Sequence, residues 1–145
     1  MSHPNYGPPI TLEHARMVMA VAETEAKAHG WAAVIAIVDS GGHLVMLHRM
    51  DQANLGAVPL AQRKAETAVK FRRPTKALED VLVGSGPAGI RMLAFAPELL
   101  PVEGGVPPLE DGVLIGAIGV SGMQAAQDGE VAAAGARALS EPSGG

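Results

Sequence analysis

The apolar run Ala33–Val38 lies between two longer stretches whose apolar residues recur at helical spacing. The run is rich in valine and isoleucine, which favour strands over helices. It ends in Asp39-Ser-Gly-Gly42, and a second apolar run, Leu44–Leu47, follows at once. Two short apolar runs around an Asp/Ser/Gly turn predict a β-hairpin.

The flanking stretches predict helices. Thr11 is suited to cap the first helix, and Gly30 is suited to end it. A second helical pattern runs from Val58 to Phe71, and Pro74 stops it. Thr75 can cap a short third helix that extends to Leu82.

The C-terminal half is less regular. The Gly84–Gly89 segment is rich in glycine and predicts a loop, and Ile90–Phe95 fits a helix or a strand equally well. We expect a short strand from Leu99 that runs into a glycine turn at Gly105, then a strand over 113–120 after the tight turn at Asp111-Gly112, and an alanine-rich helix over 123–139. This mixture of elements indicates an α/β fold.

The 145 residues fit one domain, and 48% of them are apolar, which excludes a disordered chain. We expect a single domain over residues 11–139, a flexible arm at 1–10 and a flexible tail at 140–145. Aromatic residues make up only 3% of the chain. The core must therefore consist of small and β-branched side chains, with backbones packed closely.

Charge and composition exclude several partners. The formal net charge of −4 argues against nucleic acid, and the few aromatic residues offer no stacking platform for single strands. A local cationic cluster suits a small anionic molecule or a subunit contact instead. Its members are Arg63, Lys64, Lys70, Arg72, Arg73 and Lys76.

The chain has no cysteine, so disulfides and thiolate metal sites are excluded. Its first residues carry neither a basic stretch nor an apolar run, and no segment reaches the roughly 20 apolar residues that span a bilayer. We therefore expect no membrane partner and a cytoplasmic location.

Four phrases of the sequence occur in a recognisable order. They read TEAKAHGWAAVIAIVDSGGHLVMLHRMD, QRKAETAVKFRRPT, VEGGVPP and DGVLIGAIGVSGMQAAQDGEVAAAG. In these phrases, over roughly residues 11–139, the chain resembles the GlcG/HbpS family, which includes haem-binding proteins and the C-terminal domain of PduO-type proteins. The resemblance implies a profilin-like fold, an antiparallel sheet of about five strands flanked by helices. It also implies a homo-oligomer, and haem as a cofactor of some members.

Asp39 and Arg49 are candidate ligand-binding residues at the ends of the predicted hairpin strands. Asp39 is either a carboxylate at the mouth of a pocket or a turn residue that accepts backbone N–H groups. The Arg49 guanidinium suits a two-pronged contact with a carboxylate, although an Arg49–Asp51 pair that fixes the loop is an equal alternative.

Lys64 and Thr67 are candidate ligand-binding residues, and they share one stripe of the second helix with Leu60 and Phe71. Because the stripe is partly apolar, we expect it to face the sheet and Lys64 to be partly buried. A buried ammonium needs a partner, for which Asp39, Asp51 and Glu103 are available. Lys64 is then either a ligand-binding amine or one half of a structural ion pair.

Glycine pairs give the strongest indication of a site. Glu103-Gly104-Gly105 and Gly119-Val120-Ser121-Gly122 could turn backbone N–H groups toward an anion, and Ser121-Gly122 leads into the last helix, whose N-terminus favours negative charge. A haem propionate or another carboxylate would suit this place. The alternative is that both segments are only tight turns.

Haem iron would need an axial ligand, and His14 is the candidate metal ligand. A surface or capping role for His14 is the alternative. No spacing of residues typical of a zinc site is present.

Three functions remain open. The first is a binding protein for haem or another small anionic molecule. The second is a cofactor-independent enzyme, a hydrolase or proton-transfer catalyst acting on a small organic acid in a catabolic pathway, with Arg49, Lys64 and Glu103 as catalytic residues. The third is a structural or regulatory oligomeric subunit.

Overall fold

The computed structural model describes residues 3–140, and the side chain of Ser140 is not included. The predicted tail beyond Ser140 lies outside the described residues. The elements in chain order are α1 Leu12–Ala28, β1 Val34–Asp39, β2 Leu44–Arg49, α2 Ala57–Phe71, α3 Thr75–Gly84, α4 Pro87–Phe95, β3 Gly105–Val106, β4 Leu109–Glu110, β5 Val113–Leu114, β6 Gly116–Ser121 and α5 Ala125–Ser140.

One antiparallel sheet forms the centre of the domain, with the strand order β2-β1-β6-β3. The strands β4 and β5 form a separate small hairpin. Helices cover both faces of the main sheet: α1 and α5 lie together on one face, and α2 lies on the other. The α/β fold with an antiparallel sheet flanked by helices is therefore confirmed.

Successive side chains of β1 point to opposite faces of the main sheet, and both faces are buried. Ile35 and Ile37 point toward α1 and α5, where they meet Val18 and Met19. The residues between them point toward α2, whose buried face consists largely of alanine. Large residues thus fill one layer, and small residues let α2 approach the sheet closely, as the composition predicts.

Local signals explain most boundaries. The side chain of Thr11 accepts a hydrogen bond from the backbone N–H of His14, 3.1 Å away, which caps α1. Gly30 takes a φ of 72° just beyond that helix. The predicted first helix, hairpin and second helix are confirmed.

Three predicted elements differ in the structure. The helix α3 continues to Gly84 and α4 begins at Pro87, so the predicted Gly84–Gly89 loop shrinks to a short connection and the ambiguous Ile90–Phe95 is helical. The predicted strand over 113–120 breaks at Ile115, because β5 pairs with β4 whereas β6 pairs with β1.

The short strand predicted from Leu99 is wrong, because residues 99–104 form no strand, and Gly105, which was predicted in a turn, begins β3. Side chains of α2 already use the hydrogen-bonding groups of this segment. The Arg63 guanidinium donates to the carbonyls of Pro97 and Leu99 at 2.7 and 3.0 Å, and the Leu100 N–H donates to Thr67 Oγ1 at 2.9 Å. These groups are therefore not available for a ladder.

Residues 3–10 of the expected N-terminal arm form no helix or strand of their own, but they are bound to the domain. The Gly7 N–H donates to the Leu114 carbonyl at 2.8 Å, the Leu114 N–H donates to the Asn5 carbonyl at 2.8 Å, and the Tyr6 hydroxyl donates to the Val69 carbonyl at 2.7 Å. Ile10 is buried in the core. Within residues 3–140, no helix is long and apolar enough to cross a bilayer.

Candidate functional site

Lys64 is the candidate residue of the second helix that lies next to the candidate glycines Gly104 and Gly105. Its side chain is only 4% exposed. The ammonium donates to the Val120 carbonyl at 3.0 Å and to Asp128 Oδ2 at 3.1 Å. Its burial is as predicted, but its ionic partner is Asp128 and not Asp39, Asp51 or Glu103. Leu60 and Phe71, from the same predicted stripe, are exposed.

Asp128 belongs to the first turn of α5, which brings it to Lys64 across 64 residues of chain. Burial raises the pKa of the Asp128 carboxyl, while the Lys64 charge and the N–H of Met123 oppose the rise. Sequence reasoning missed Asp128 as a site residue. Its position near the start of a predicted helix was the available signal, since acids in the first turn are typical of N-terminal capping.

The backbone N–H groups before α5 bind side chains of this chain. The Met123 N–H donates to Asp128 Oδ1 at 3.0 Å, and the Gln124 N–H donates to Gln127 Oε1 at 3.2 Å. The start of this helix was expected to attract an anionic ligand near Ser121 and Gly122. Here the Asp128 carboxylate already serves as that anion.

The predicted glycines lie where other chain segments approach closely. A Cβ on Gly104 would lie 2.6 Å from the Val120 carbonyl oxygen and 2.9 Å from Lys64 Nζ, and one on Gly105 would lie 2.4 Å from the Lys64 carbonyl oxygen. Glu103 packs against Gly129 of α5. These contacts account for the glycines without a ligand, and a ligand role for Glu103, Gly104, Gly105, Ser121 and Gly122 stays a prediction.

Two threonines fix the segment that leads into β3. The Thr67 hydroxyl donates to the Arg63 carbonyl at 2.7 Å and accepts from the Leu100 N–H. The Thr75 hydroxyl accepts from the Gly105 N–H at 2.8 Å. Thr67 was predicted as a ligand-binding residue. Thr75 was predicted to cap the third helix, but the cap residue of α3 is Pro74, and no side-chain cap hydrogen bond is formed.

Asp39 and Arg49 lie at opposite ends of β1, because Arg49 pairs with Val34 at the start of that strand and Asp39 ends it. Asp39 Oδ1 accepts the N–H groups of Gly41 and His43 at 2.9 and 3.0 Å. Burial opposes ionisation of Asp39, but these hydrogen bonds outweigh it and lower the pKa of the carboxyl. This arrangement matches the turn role; the structure does not bring Asp39 to Arg49 or Lys64.

An open cleft of about 660 Å³ lies where β2 ends beside the C-terminal part of α1. We refer to it as the β2-end cleft. Its volume falls within the range of about 300–1,000 Å³ that is usual for small-molecule sites. It is lined by Glu23, Lys27, Gly30, Trp31, Ala32, Leu47, His48, Arg49, Met50 and Asp51.

The β2-end cleft combines three kinds of chemistry. Arg49 and Lys27 supply positive charge, Trp31, Leu47 and Met50 supply apolar surface, and His48 supplies an imidazole. Arg49 is exposed, and among the described residues it forms no ion pair with Asp51. The guanidinium is therefore available to a ligand. Sequence analysis placed Arg49 here but did not single out His48.

His14 lies in a smaller cleft of about 220 Å³ between the N-terminal segment and the β4–β5 hairpin. Its Nδ1 lies 3.0 Å from Glu110 Oε2, and its side chain is 34% exposed. The Glu110 carboxylate orients the ring and leaves Nε2 for another contact.

Comparison with known proteins identifies the family. A family model described as haem degrading protein HbpS-like matches residues 10–137. The chain belongs to this HbpS-like family. The resemblance inferred from the four sequence phrases is thereby confirmed.

Three members or relatives of the HbpS-like family illustrate the range of similarity. The protein GlcG of Escherichia coli strain K12 is 40% identical over 112 residues, which cover 77% of this chain and 81% of GlcG. A structure described as a PduOC:heme complex has a TM-score of 0.83 at 29% identity, covering 90% of this chain and 95% of that one. A double mutant of Streptomyces reticuli HbpS has a TM-score of 0.82 at 31% identity, covering 93% and 90% of the two chains.

Proposed function

We propose that this chain binds haem in the β2-end cleft. The proposal draws on a relative, because the similar PduOC domain has been described in complex with haem. The observation that carries it in this chain is the donor set of the cleft, in which His48 lies among cationic and apolar side chains.

The residues present fit the group. Haem iron takes a histidine as an axial ligand, its propionates pair with cations, and its macrocycle packs against apolar surface. In the β2-end cleft, His48 would bind the iron, Arg49 and Lys27 would pair with the propionates, and Trp31 with Met50 would line the ring. Bound haem would supply an iron centre for ligand binding or redox chemistry.

The two candidate axial ligands differ in their surroundings. Nδ1 of His48 is bonded to the Glu23 carboxylate, as Nδ1 of His14 is bonded to Glu110. A carboxylate on one ring nitrogen increases the ligand strength of the other. Of these two clefts, the one around His48 has a volume within the usual range for small-molecule sites and the one around His14 does not, so His48 is our first candidate and His14 our second.

The enzyme hypothesis receives less support from the geometry. Lys64 would have to reach a substrate, yet its ammonium is buried and bonded to Val120 and Asp128. A substrate would reach it only if α5 or the segment at Gly104 moved. Arg49 is open to a ligand but lies apart in the β2-end cleft.

A homo-oligomer in the cytoplasm belongs to the same proposal. Support for self-association comes from an apolar surface on α3 and α4, which we call the α3–α4 surface. It includes the strongly exposed side chains of Val83, Ile90, Met92 and Phe95. Surfaces of this kind are typical of protein–protein contacts.

A haem titration followed by visible absorption tests the binding proposal. We expect saturable, near-stoichiometric growth of the Soret band with the unmodified chain. His48→Ala should weaken binding about tenfold or more and change the spectrum, since a lost axial ligand alters the iron centre. Arg49→Ala should weaken binding with little change in the spectrum.

His43→Ala is the matched control, because His43 is an exposed histidine at the opposite end of β2 from Arg49. It should leave both affinity and spectrum unchanged. Loss of the Soret band in His14→Ala alone would move the axial ligand to the smaller cleft. A weak, non-saturating signal that no histidine variant affects would overturn haem binding.

A further inference from the structure

Three side chains outside the β2-end cleft converge where the C-terminal part of α1 meets α5. Glu25 and His29 are four residues apart on α1, which places them on the same face of the helix. Glu130 reaches the same point from α5. One potential ligand atom from each of the three lies within 4.8 Å of the others.

His29 Nε2 is the common point of this group. It lies 2.9 Å from Glu25 Oε2 and 3.7 Å from Glu130 Oε1. The His29 ring stacks on Trp31 with centroids 4.2 Å apart and an interplanar angle of 12°. The indole thus holds the imidazole in the orientation that directs Nε2 toward both carboxylates.

The donor chemistry favours a particular class of cation. An imidazole nitrogen with two carboxylates suits zinc and similar first-row divalent ions, whereas calcium and magnesium prefer oxygen ligands alone. The three side chains are between 30% and 51% exposed, so an ion can enter and water can complete its coordination. Three protein ligands with one open position are a familiar arrangement for zinc.

We propose that Glu25, His29 and Glu130 bind one zinc-class divalent cation on the surface formed by α1 and α5. The ion replaces the contact between His29 Nε2 and Glu25 Oε2, and it bridges the two helices. The site is independent of haem: its ligands lie outside the β2-end cleft, although Trp31 contacts both.

Titration of the metal-free, haem-free protein with Zn²⁺ in a calorimeter tests the proposal. We expect one saturable site, and we expect His29→Gln and Glu130→Gln each to weaken it about tenfold or more. Both positions are partly exposed, so the variants should fold; circular dichroism checks this. His43→Gln is the matched control, because His43 also lies near a carboxylate, that of Asp39, but has no third ligand atom nearby among the described residues. It should retain the zinc affinity of the unmodified chain.

A second readout uses Trp31, the one tryptophan of the chain. Cu²⁺ bound at His29 should quench the fluorescence of the stacked indole, and the quenching should require a much higher copper concentration in Glu130→Gln. Zinc binding that is undetectable, or that the His29 and Glu130 variants leave unchanged, would overturn the site. Equal copper quenching in all variants would do the same.

Discussion

Lys64 and Asp128 form a buried ion pair in which each charge requires the other. Their side chains are 5% and 3% exposed, so both charges are removed from water. Such a pair contributes little net stability, but the loss of one partner leaves the other charge buried alone. The pair is therefore a constraint on the sequence more than a source of stability.

Asp128→Asn tests this constraint. It removes the negative charge while keeping the side-chain shape, and we expect it to lower the free energy of unfolding by about 3–5 kcal/mol. Urea denaturation measures the change. The double variant Lys64→Met with Asp128→Leu removes both charges and should recover most of the loss. A single variant as stable as the unmodified chain would show that the ammonium finds another partner.

The Asp39 turn predicts a pH dependence. Its pKa is lowered in the folded state from the ordinary value of 3.8, so the unfolded chain binds the proton more readily. The stabilisation from Asp39 is therefore present above about pH 4 and is lost as the pH falls through the lowered pKa. Asp128, whose pKa is raised, contributes with the opposite sign.

Asp39→Asn should make stability fall less steeply as the pH decreases below 4, because the difference in proton binding at this position disappears. Thermal unfolding at several pH values between 2 and 6 measures the slope. Ser40→Ala, in the same turn, retains the carboxylate and serves as the control. A slope identical in Asp39→Asn and the unmodified chain would assign the acid sensitivity to other carboxylates.

At the level of elements, the separation between α2 and the sheet depends on Gly119. A Cβ at this position would lie 2.0 Å from the Ala61 carbonyl oxygen and 2.6 Å from the Ala65 nitrogen. Both are backbone atoms within α2, so no side-chain rotation relieves the contact. The helix as a whole would have to move away from β6.

Gly119→Ala should consequently destabilise the domain by about 3 kcal/mol or more, the upper end for overpacking in a core. Chemical denaturation measures it. Gly56→Ala is the matched control, since Gly56 has a φ of −63° and nothing lies within 4 Å of an added Cβ. A tolerated Gly119→Ala would mean that α2 shifts on the sheet at little cost.

The elements that the sequence predicted well are those with a local cause. Thr11 caps α1, Gly30 ends it, and the apolar run from Val34 to Val38, rich in valine and isoleucine, marks a strand. The strand from Leu99 was predicted wrongly because the hydrogen bonds of this segment come from Arg63, Thr67 and Thr75, more than twenty residues earlier. The Lys64–Asp128 pair was missed for the same reason, since only the packing of α5 on β6 brings these residues together.

At the level of the whole molecule, the α3–α4 surface keeps large apolar side chains exposed to solvent in the single chain. Phe95 is 89% exposed. An apolar groove of about 530 Å³, with Val83 and Ile90 in its lining, lies between α3, α4 and residues 96–102. Exposed apolar area of this kind costs free energy unless another surface covers it.

We therefore expect the unmodified chain to elute as an oligomer, and Phe95→Asp to shift it toward the monomer. Size-exclusion chromatography with light scattering measures the mass at micromolar concentrations. Leu55→Asp is the control, because Leu55 is also strongly exposed but lies outside this surface. This variant should retain the assembly. A monomeric unmodified chain would contradict the homo-oligomer and leave the haem proposal untouched.

The order of the strands has a consequence for biosynthesis. The strand β1 is buried between β2 and β6, and β6 comes from the last third of the chain. At roughly 5–20 residues per second, the ribosome takes on the order of ten seconds to deliver β6 after β1 has emerged. During that interval the Val34–Val38 run has only the β2 hairpin to pair with. A nascent chain that stalls before residue 116 therefore exposes an apolar strand with one unpaired edge. Because such edges promote aggregation, we expect chaperones to bind this fragment.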